Sequence, residues 1–143
     1  MRVLGIDLGS KRIGIAVSDR SGTIASPLCV LQRTGSVAQD HRRIAELVAE
    51  EEAVAVVVGL PLSMDGSMGP AAKAAVAEAA AMASVVGVPV ETYDERLTTV
   101  TADRSMMEAR MRAEARRRIV DKIAAAVMLQ SWLDGRAARE ARQ

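Results

Sequence analysis

Three acidic residues stand where an unpaired charge would be costly: Asp7, Glu95 and Asp121. Asp7 lies between Ile6 and Leu8, inside an apolar stretch that is typical of a buried strand. A buried carboxylate costs free energy unless something pairs with it. Carboxylates brought together repel one another, and divalent cations are the ordinary remedy. Oxygen ligands suit Mg²⁺ or Mn²⁺, and one or two such ions can promote phosphodiester hydrolysis.

Of the other two acids, Glu95 lies at the end of a predicted strand and Asp121 lies on the apolar side of a predicted helix. Glu95 follows the strand-like segment 88–94, and the carboxyl ends of parallel strands are the usual position of sites in open α/β sheets. Its neighbour Asp94 points to the opposite face, so only one of the two can join Asp7. Asp121 falls on the apolar stripe of a predicted helix, in line with Ala125.

Each acid also has a purely structural interpretation, which the sequence leaves open. The small residues around Asp7 would let a helix pack closely on the strand. Glu95 could cap the helix that follows it, and Asp121 could lie at a helix N-terminus, where a carboxylate interacts favourably with the helix dipole. The single histidine, His41, is predicted to be a solvated residue on the polar side of an amphipathic helix rather than a catalytic base.

The hydrophobic periodicity predicts the elements that must position these acids. Strands are predicted at 3–8, 12–19, 27–33, 54–61 and 88–95, and helices at 36–53, 70–86, 97–111 and 119–135, with a mobile connection at 112–118. A three-strand antiparallel meander followed by parallel strands, flanked by helices, indicates an α/β fold with a mixed five-stranded sheet. This order resembles that of the ribonuclease H-like fold.

Composition narrows the class of protein further. The 143 residues are expected to form one domain over 1–143, and half of them are hydrophobic. Trp132 and Tyr93 are the only aromatic residues, which argues against a base-stacking platform. The lone Cys29 excludes an intramolecular disulfide and is predicted to be a small buried hydrophobe. Without a signal peptide pattern or a membrane-length apolar run, a soluble cytoplasmic protein with no membrane partner is expected.

The overall charge of +1 conceals a local basic block at residues 110–122. Six basic side chains there oppose Glu114 and Asp121, which gives this segment a net charge of +4 and the remainder −3. A localised basic segment on a mildly acidic protein favours an anionic partner such as nucleic acid.

Four motifs, in this order, resemble those of the YqgF/RuvX family: GIDLGSKRIGIAVSD, VVGLPLSMDGS, DERLTT and VDKIAAAVMLQSWLD. The resemblance covers nearly the whole chain. It implies a ribonuclease H-like fold and a metal-dependent nuclease that uses one or two Mg²⁺ or Mn²⁺ ions. The acids of the family fall on Asp7, Glu95 and Asp121, the three residues reached above.

Further residues are predicted to bind nucleic acid. Lys11 and Arg12 follow the first strand on a tight turn and could hold a phosphate, although a solvated hairpin tip would look the same. Arg96 and Thr98 could position the scissile strand beside Glu95. A clamp on the phosphate backbone is predicted from three consecutive arginines, with a solvated helix end as the alternative: Arg116, Arg117 and Arg118.

The resemblance implies the leading functional hypothesis, a metal-dependent endonuclease that processes the 5′ end of pre-16S rRNA, with ribosomal particles as further candidate partners. The alternative is a Holliday junction resolvase acting on branched DNA, which would call for a homodimer because two symmetric cuts need two sites. More distant alternatives are a non-catalytic nucleic-acid-binding module and an actin-like or sugar-kinase-like phosphotransferase. The latter would need two lobes, and 143 residues supply one.

Overall fold

One mixed sheet of five strands organises the computed structural model, which describes residues 1–97 and 113–141, without the side chains of Leu97 and of residues 113–122. The strands run in the order β3-β2-β1-β4-β5, with antiparallel pairs on the β1–β2–β3 side and parallel pairs on the β1–β4–β5 side. The predicted fold class is confirmed. The strands are β1 (Arg2–Leu8), β2 (Arg12–Ser18), β3 (Ala25–Gln32), β4 (Ala53–Leu60) and β5 (Val90–Asp94).

Three α-helices and one short 3₁₀ helix accompany the sheet within the described ranges. They are α1 (Val37–Glu50), α2 (Pro70–Val86), the 3₁₀ helix Glu95–Leu97 and α3 (Ala113–Ala141).

The ends of α1 and α2 follow from local chemistry, as predicted. Ser36 caps α1, because its hydroxyl accepts a hydrogen bond of 3.2 Å from the backbone N–H of Gln39. Pro70 occupies the first turn of α2, where its missing N–H is not needed. Gly87 ends α2 with φ of +73°, a left-handed conformation that glycine adopts without strain.

The two faces of the sheet have separate cores. On one face, α1 and α2 pack against Leu4 and Ile6 of β1 and their neighbours on β2 and β4. On the other face, α3 packs against Val3 and the central strands through Ala125, Leu129 and other residues of its apolar side. Since Asp7 shares its strand face with Val3, the alternation along β1 turns it towards the side that α3 covers.

The structure corrects two predictions and leaves a third untested. Helix α3 begins at Ala113 rather than at residue 119, so residues 113–118 are helical and not the predicted connection. His41 is 2% exposed, so the prediction of a solvated side chain is wrong. The predicted helix 97–111 lies almost entirely outside the described residues.

No helix within the described residues is both long and apolar enough to cross a membrane. Cys29, predicted to be buried, is half-buried on β3 at the margin of the first core.

Candidate active site

Asp7 and Glu95 come together at the end of the sheet where β1 and β5 finish. Their carboxyl groups are hydrogen-bonded to each other, and both side chains are half-buried. Asp7 lies on β1 beside the last residue of that strand, while Glu95 is the first residue after β5. Two residues 88 positions apart in the sequence therefore form one acidic pair, as the sequence predicted for parallel strands that end at a common edge.

Glycines on the neighbouring strands provide the space for this pair. In the antiparallel register, Asp7 lies opposite Gly14 of β2, which has no side chain to fill the adjacent volume. A Cβ added to Gly59 of β4 would collide with Oε1 of Glu95 and would lie 3.0 Å from its Cγ and Cδ. Gly59 is thus required for Glu95 to reach Asp7, which the sequence alone did not reveal.

The environment of Glu95 disfavours its charged form. Burial, the negative charge of Asp7 and the hydrogen bond between the two carboxyl groups raise the pKa of Glu95 from 4.5 to about 7. Near neutral pH and without a cation, the pair therefore tends to hold a proton between its two carboxyl groups. The two carboxyl groups therefore form a site that favours a bound positive charge and offers only oxygen ligands.

Helix α3 runs antiparallel to β1 across the same face. Arg136 contacts Met1 at the beginning of β1, whereas a Cβ on Gly5 would lie 2.8 Å from Cβ of Leu129 and 3.2 Å from the carbonyl oxygen of Ala125. Residues further along β1 therefore contact residues nearer the N-terminus of α3. Asp121 lies one turn before Ala125 and in the third turn of α3, so the alternative in which it caps the helix N-terminus is wrong.

Arg96, predicted to position the scissile strand, is exposed and forms hydrogen bonds within the protein. Its guanidinium donates to both carboxylate oxygens of Asp94 at 2.7–3.1 Å and to the backbone carbonyl of Met64 at 3.3 Å. The hydrogen bonds from Arg96 hold the pKa of Asp94 below its usual value. Consecutive residues therefore have opposite roles here: Glu95 joins Asp7, while Asp94 and Arg96 connect β5 to the loop after β4.

The turn between β1 and β2 holds the two other predicted phosphate contacts. Lys11 is exposed at its tip, and Arg12 is half-buried at the start of β2. Arg33 anchors this turn from the end of β3: its backbone N–H donates to the carbonyl of Lys11 and its side-chain Nε donates to the carbonyl of Gly9, both at 2.9 Å.

A buried charged network behind this turn was not predicted from the sequence. Glu78 of α2 accepts two hydrogen bonds from the Arg33 guanidinium, at 2.8 and 3.0 Å, and lies 3.0 Å from Nε2 of His41. Asp40, 4% exposed, accepts from the backbone and hydroxyl of Thr34. Helix periodicity places His41 on the polar side of α1, and only the packing of α2 against α1 covers it.

Of the predicted site residues, the described side chains bring together Asp7 and Glu95. Lys11 and Arg12 lie on the turn that begins two residues after Asp7, and Arg96 faces the β4–α2 loop. Among the described side chains, no group of three acids, histidines or cysteines converges to hold a metal ion. Predictions for the remaining positions fall outside what is described, namely Thr98 and the side chains of Arg116, Arg117, Arg118 and Asp121.

A family model described as "RuvX: Holliday junction resolvase" matches residues 1–135 of the 143. The chain belongs to the RuvX family. The family identified from the four motifs is thereby confirmed. RuvX-family proteins are nucleases, so the expected hydrolase activity on phosphodiester bonds is confirmed at the level of the family.

Similar RuvX-family proteins carry a common name. A "Putative pre-16S rRNA nuclease" of Mycobacterium sp. (strain KMS) is 49% identical over 138 residues, which cover 96% of this chain and 82% of that protein. A protein of the same name from Myxococcus xanthus (strain DK1622) is 46% identical over 134 residues, covering 94% and 88% of the two chains.

A solved structure supports the fold. RuvC of Thermus thermophilus, solved in complex with a Holliday junction substrate, matches with a TM-score of 0.55 and 19% identity over 96% of each chain. At this identity the likeness shows the fold alone, and it confirms the ribonuclease H-like fold expected of a RuvX-family protein.

Proposed function

We propose that this chain is a metal-dependent endonuclease that processes the 5′ end of pre-16S rRNA, in the cytoplasm and on ribosomal particles. The observation that carries the proposal is the hydrogen-bonded pair of Asp7 and Glu95 at the carboxyl edge of the sheet. Family membership supports phosphodiester hydrolysis, and the shared name of the relatives supports the RNA substrate.

Asp121 is proposed as the third acid of the site, on the basis of its place along α3. Gly5 contacts the helix at Ala125 and Leu129. Asp7 lies two residues further along β1, about 6.7 Å. Four residues along a helix correspond to about 6 Å, so the position one turn before Ala125, that of Asp121, is level with Asp7. The proposal places the Asp121 carboxylate beside the pair.

The residues present fit a hard divalent cation, because the pair offers only carboxylate oxygens and already favours a proton between them. Asp7, Glu95 and Asp121 would hold one or two Mg²⁺ or Mn²⁺ ions. When bound, such ions lower the pKa of water and stabilise the leaving oxygen of a phosphodiester. Gly14 of β2, opposite Asp7, adds no side chain beside the acids, which favours access of the scissile phosphate.

Basic residues around the site are proposed to bind the phosphate backbone. Lys11 extends into solvent from a turn that Arg33 holds in place, which suits a contact that orients the strand. The proposed path also includes Arg12 and Thr98. It is completed by three arginines about one helical turn before Asp121, namely Arg116, Arg117 and Arg118.

A Holliday junction resolvase is the second candidate, favoured by the description of the matching family model. The chemistry would be the same, and the substrate would be branched DNA. Symmetric cleavage of a four-way junction would require two copies of the chain acting together. The proposed homodimer distinguishes this candidate from the first.

The test is cleavage of matched substrates by the purified full-length chain. A pre-16S RNA fragment carrying the 5′ processing region and a four-way DNA junction are incubated with Mg²⁺ or Mn²⁺, with EDTA as the metal-free control. Metal-dependent cleavage of the RNA is expected, and cleavage of the junction alone would establish the second candidate. No cleavage of either substrate would refute the assignment.

The acids are tested by Asp7→Asn and Glu95→Gln, which keep side-chain size and remove charge. Each variant is expected to lose cleavage by about 1000-fold, since loss of metal-dependent charge stabilisation costs several kcal/mol in the transition state. The matched control is Asp134→Asn, an exposed acid on α3 whose carboxylate contacts Gln130. Equal losses in all three variants would point to unfolding rather than to a catalytic role.

A further inference from the structure

The loop between β4 and α2, residues 61–69, presents an exposed apolar side chain at the edge of the sheet where the acidic pair lies. Met64 is 91% exposed and Met68 is 41% exposed. A single exposed apolar residue is common on protein surfaces and means little by itself. Met64 differs because hydrogen bonds among its neighbours shape the loop, and because its own carbonyl accepts from Arg96, the residue after Glu95.

The loop closes on itself around Met64. The backbone N–H of Ser63 donates to the carbonyl of Ser67 at 3.0 Å, and the N–H of Gly66 donates to the carbonyl of Ser63 at 2.8 Å. Asp65 accepts from the N–H and hydroxyl of Ser67 at 2.9 and 2.6 Å. These bonds define a compact turn in which the Met64 side chain is directed into solvent.

Arg96 fixes this turn to the site. Its guanidinium donates to the carbonyl of Met64 at 3.3 Å while it is held by Asp94. Gly66 lies beside the guanidinium with φ of +87°, a left-handed backbone conformation that favours glycine. Because Glu95 precedes Arg96 directly, this hydrogen bond connects the loop of Met64 to the residue that follows the acidic pair.

We propose that Met64 packs against an unstacked base next to the scissile phosphate, so that the enzyme favours cleavage where the base stack is interrupted. This inference rests on the proposed nuclease function and names a feature of its substrate. Suitable substrates share one chemistry, an exposed base face at a bulge, a strand end or a branch, in RNA or in DNA.

The location and chemistry of Met64 favour a base over another occupant. The bases of a strand held by its phosphodiester at Asp7 and Glu95 would lie at the edge of the sheet from which the loop after β4 also emerges. Methionine is flexible and polarisable, and its sulfur makes favourable contacts with aromatic rings. Apolar side chains that insert at base steps, methionine among them, are a known means of stabilising unstacked bases.

The experiment measures base unstacking separately from cleavage. Asp7→Asn protein, alone or with Met64→Ala, is titrated into RNA and DNA duplexes that carry 2-aminopurine beside the cleavage position, each with and without a bulge at that position. Asp7→Asn alone is expected to raise the fluorescence of the bulged substrates. Adding Met64→Ala should abolish the rise and weaken binding of bulged substrate by about 2- to 10-fold, the range expected for one sulfur–ring contact.

Two control variants keep the result interpretable. Met64→Leu retains an apolar side chain and is expected to keep most of the fluorescence rise. Val85→Ala removes another exposed apolar side chain, on α2, and should change nothing. In the cleavage-competent background, Met64→Ala should lower the preference for bulged over continuous duplex while metal dependence stays the same.

The outcomes separate this inference from the proposed function. If wild-type protein cleaves with metal and Met64→Ala shows the same fluorescence and the same preference, the inference is wrong and the nuclease assignment stands. If neither RNA nor DNA binds, both the inference and the nuclease assignment are wrong. A rise with RNA alone or DNA alone identifies which nucleic acid supplies the base.

Discussion

The carboxyl groups of Asp7 and Glu95 are hydrogen-bonded to each other, although 88 positions separate the two residues in the sequence. Burial and the charge of Asp7 raise the pKa of Glu95 to about 7, above its ordinary value of 4.5. Since the folded state then binds the proton more tightly than the unfolded chain, the pair destabilises the metal-free protein as the pH rises.

The first prediction concerns this pH dependence. The stability contribution of protonated Glu95 is complete below about pH 4.5 and is lost as the pH rises through about 7. Asp7→Asn removes the like charge, so the pKa of Glu95 should fall and the loss of stability over this range should shrink. Denaturant unfolding in EDTA at pH 5 and pH 7.5 measures this loss for both proteins. Identical losses for the two proteins would contradict the coupling.

The second prediction concerns Gly59→Ala. The added Cβ would collide with Glu95 and displace its carboxylate from Asp7, so cleavage should fall by about 100-fold, as expected for a misplacement of about 1 Å. Gly135→Ala on α3 is the matched control, because a Cβ there meets nothing within 4 Å and should stabilise the helix by about 0.5–1 kcal/mol. Steady-state cleavage and thermal unfolding of both variants make the comparison.

The third prediction tests the proposed third acid. Asp121→Asn should weaken Mn²⁺ binding by about 10-fold or more, since one carboxylate ligand is removed, whereas Asp134→Asn on the same helix should bind Mn²⁺ like the wild type. Isothermal titration calorimetry without nucleic acid gives the affinities. Unchanged Mn²⁺ affinity in Asp121→Asn would remove this residue from the proposed site.

The fourth prediction concerns the basic block on α3. If the three consecutive arginines bind phosphates, replacing them with alanine should weaken binding similarly for all sequences. The slope of log affinity against log salt should flatten by roughly 0.7 to 0.9 for each phosphate that the variant no longer binds. Metal affinity should not change. An unchanged slope would show that Arg116, Arg117 and Arg118 only form a solvated part of the helix.

The fifth prediction concerns Glu78, whose pKa is raised by burial but lowered further by hydrogen bonds from Arg33 and His41, so that it lies below 4.5. Glu78→Gln should destabilise the protein by about 1–3 kcal/mol near pH 7, because a partly buried charged network loses its acceptor. Since the pKa of Glu78 is lower in the folded state, this difference in stability should be complete above about pH 4.5 and shrink at lower pH. Urea unfolding at pH 7 and pH 3.5 measures it.

The control for Glu78 is Glu46→Gln. Glu46 pairs with Arg43 on the exposed side of α1, with side chains 63% and 45% exposed. Such a pair contributes less than about 1 kcal/mol. A stability loss for Glu46→Gln equal to that for Glu78→Gln would contradict the role of burial.

Much of the fold was determined by the sequence alone, because its signals are local. The apolar run of β4, the cap at Ser36, the proline that begins α2 and the glycine that ends it all act within a few residues. The pairing of Asp7 with Glu95 also followed, since acids at the ends of parallel strands must meet at one edge of the sheet.

Other features were decided only by tertiary structure, because they depend on which surfaces meet. His41 has a polar position on α1 by periodicity, and it is buried because α2 brings Glu78 to it. Sequence reasoning did not foresee that Asp94 and the carbonyl of Met64 hold Arg96 at the β4–α2 loop. The requirement for Gly59 arises only because Glu95, which follows β5, lies over it. Periodicity fixes which face of an element a residue occupies, and only the packing of distant elements fixes what that face touches.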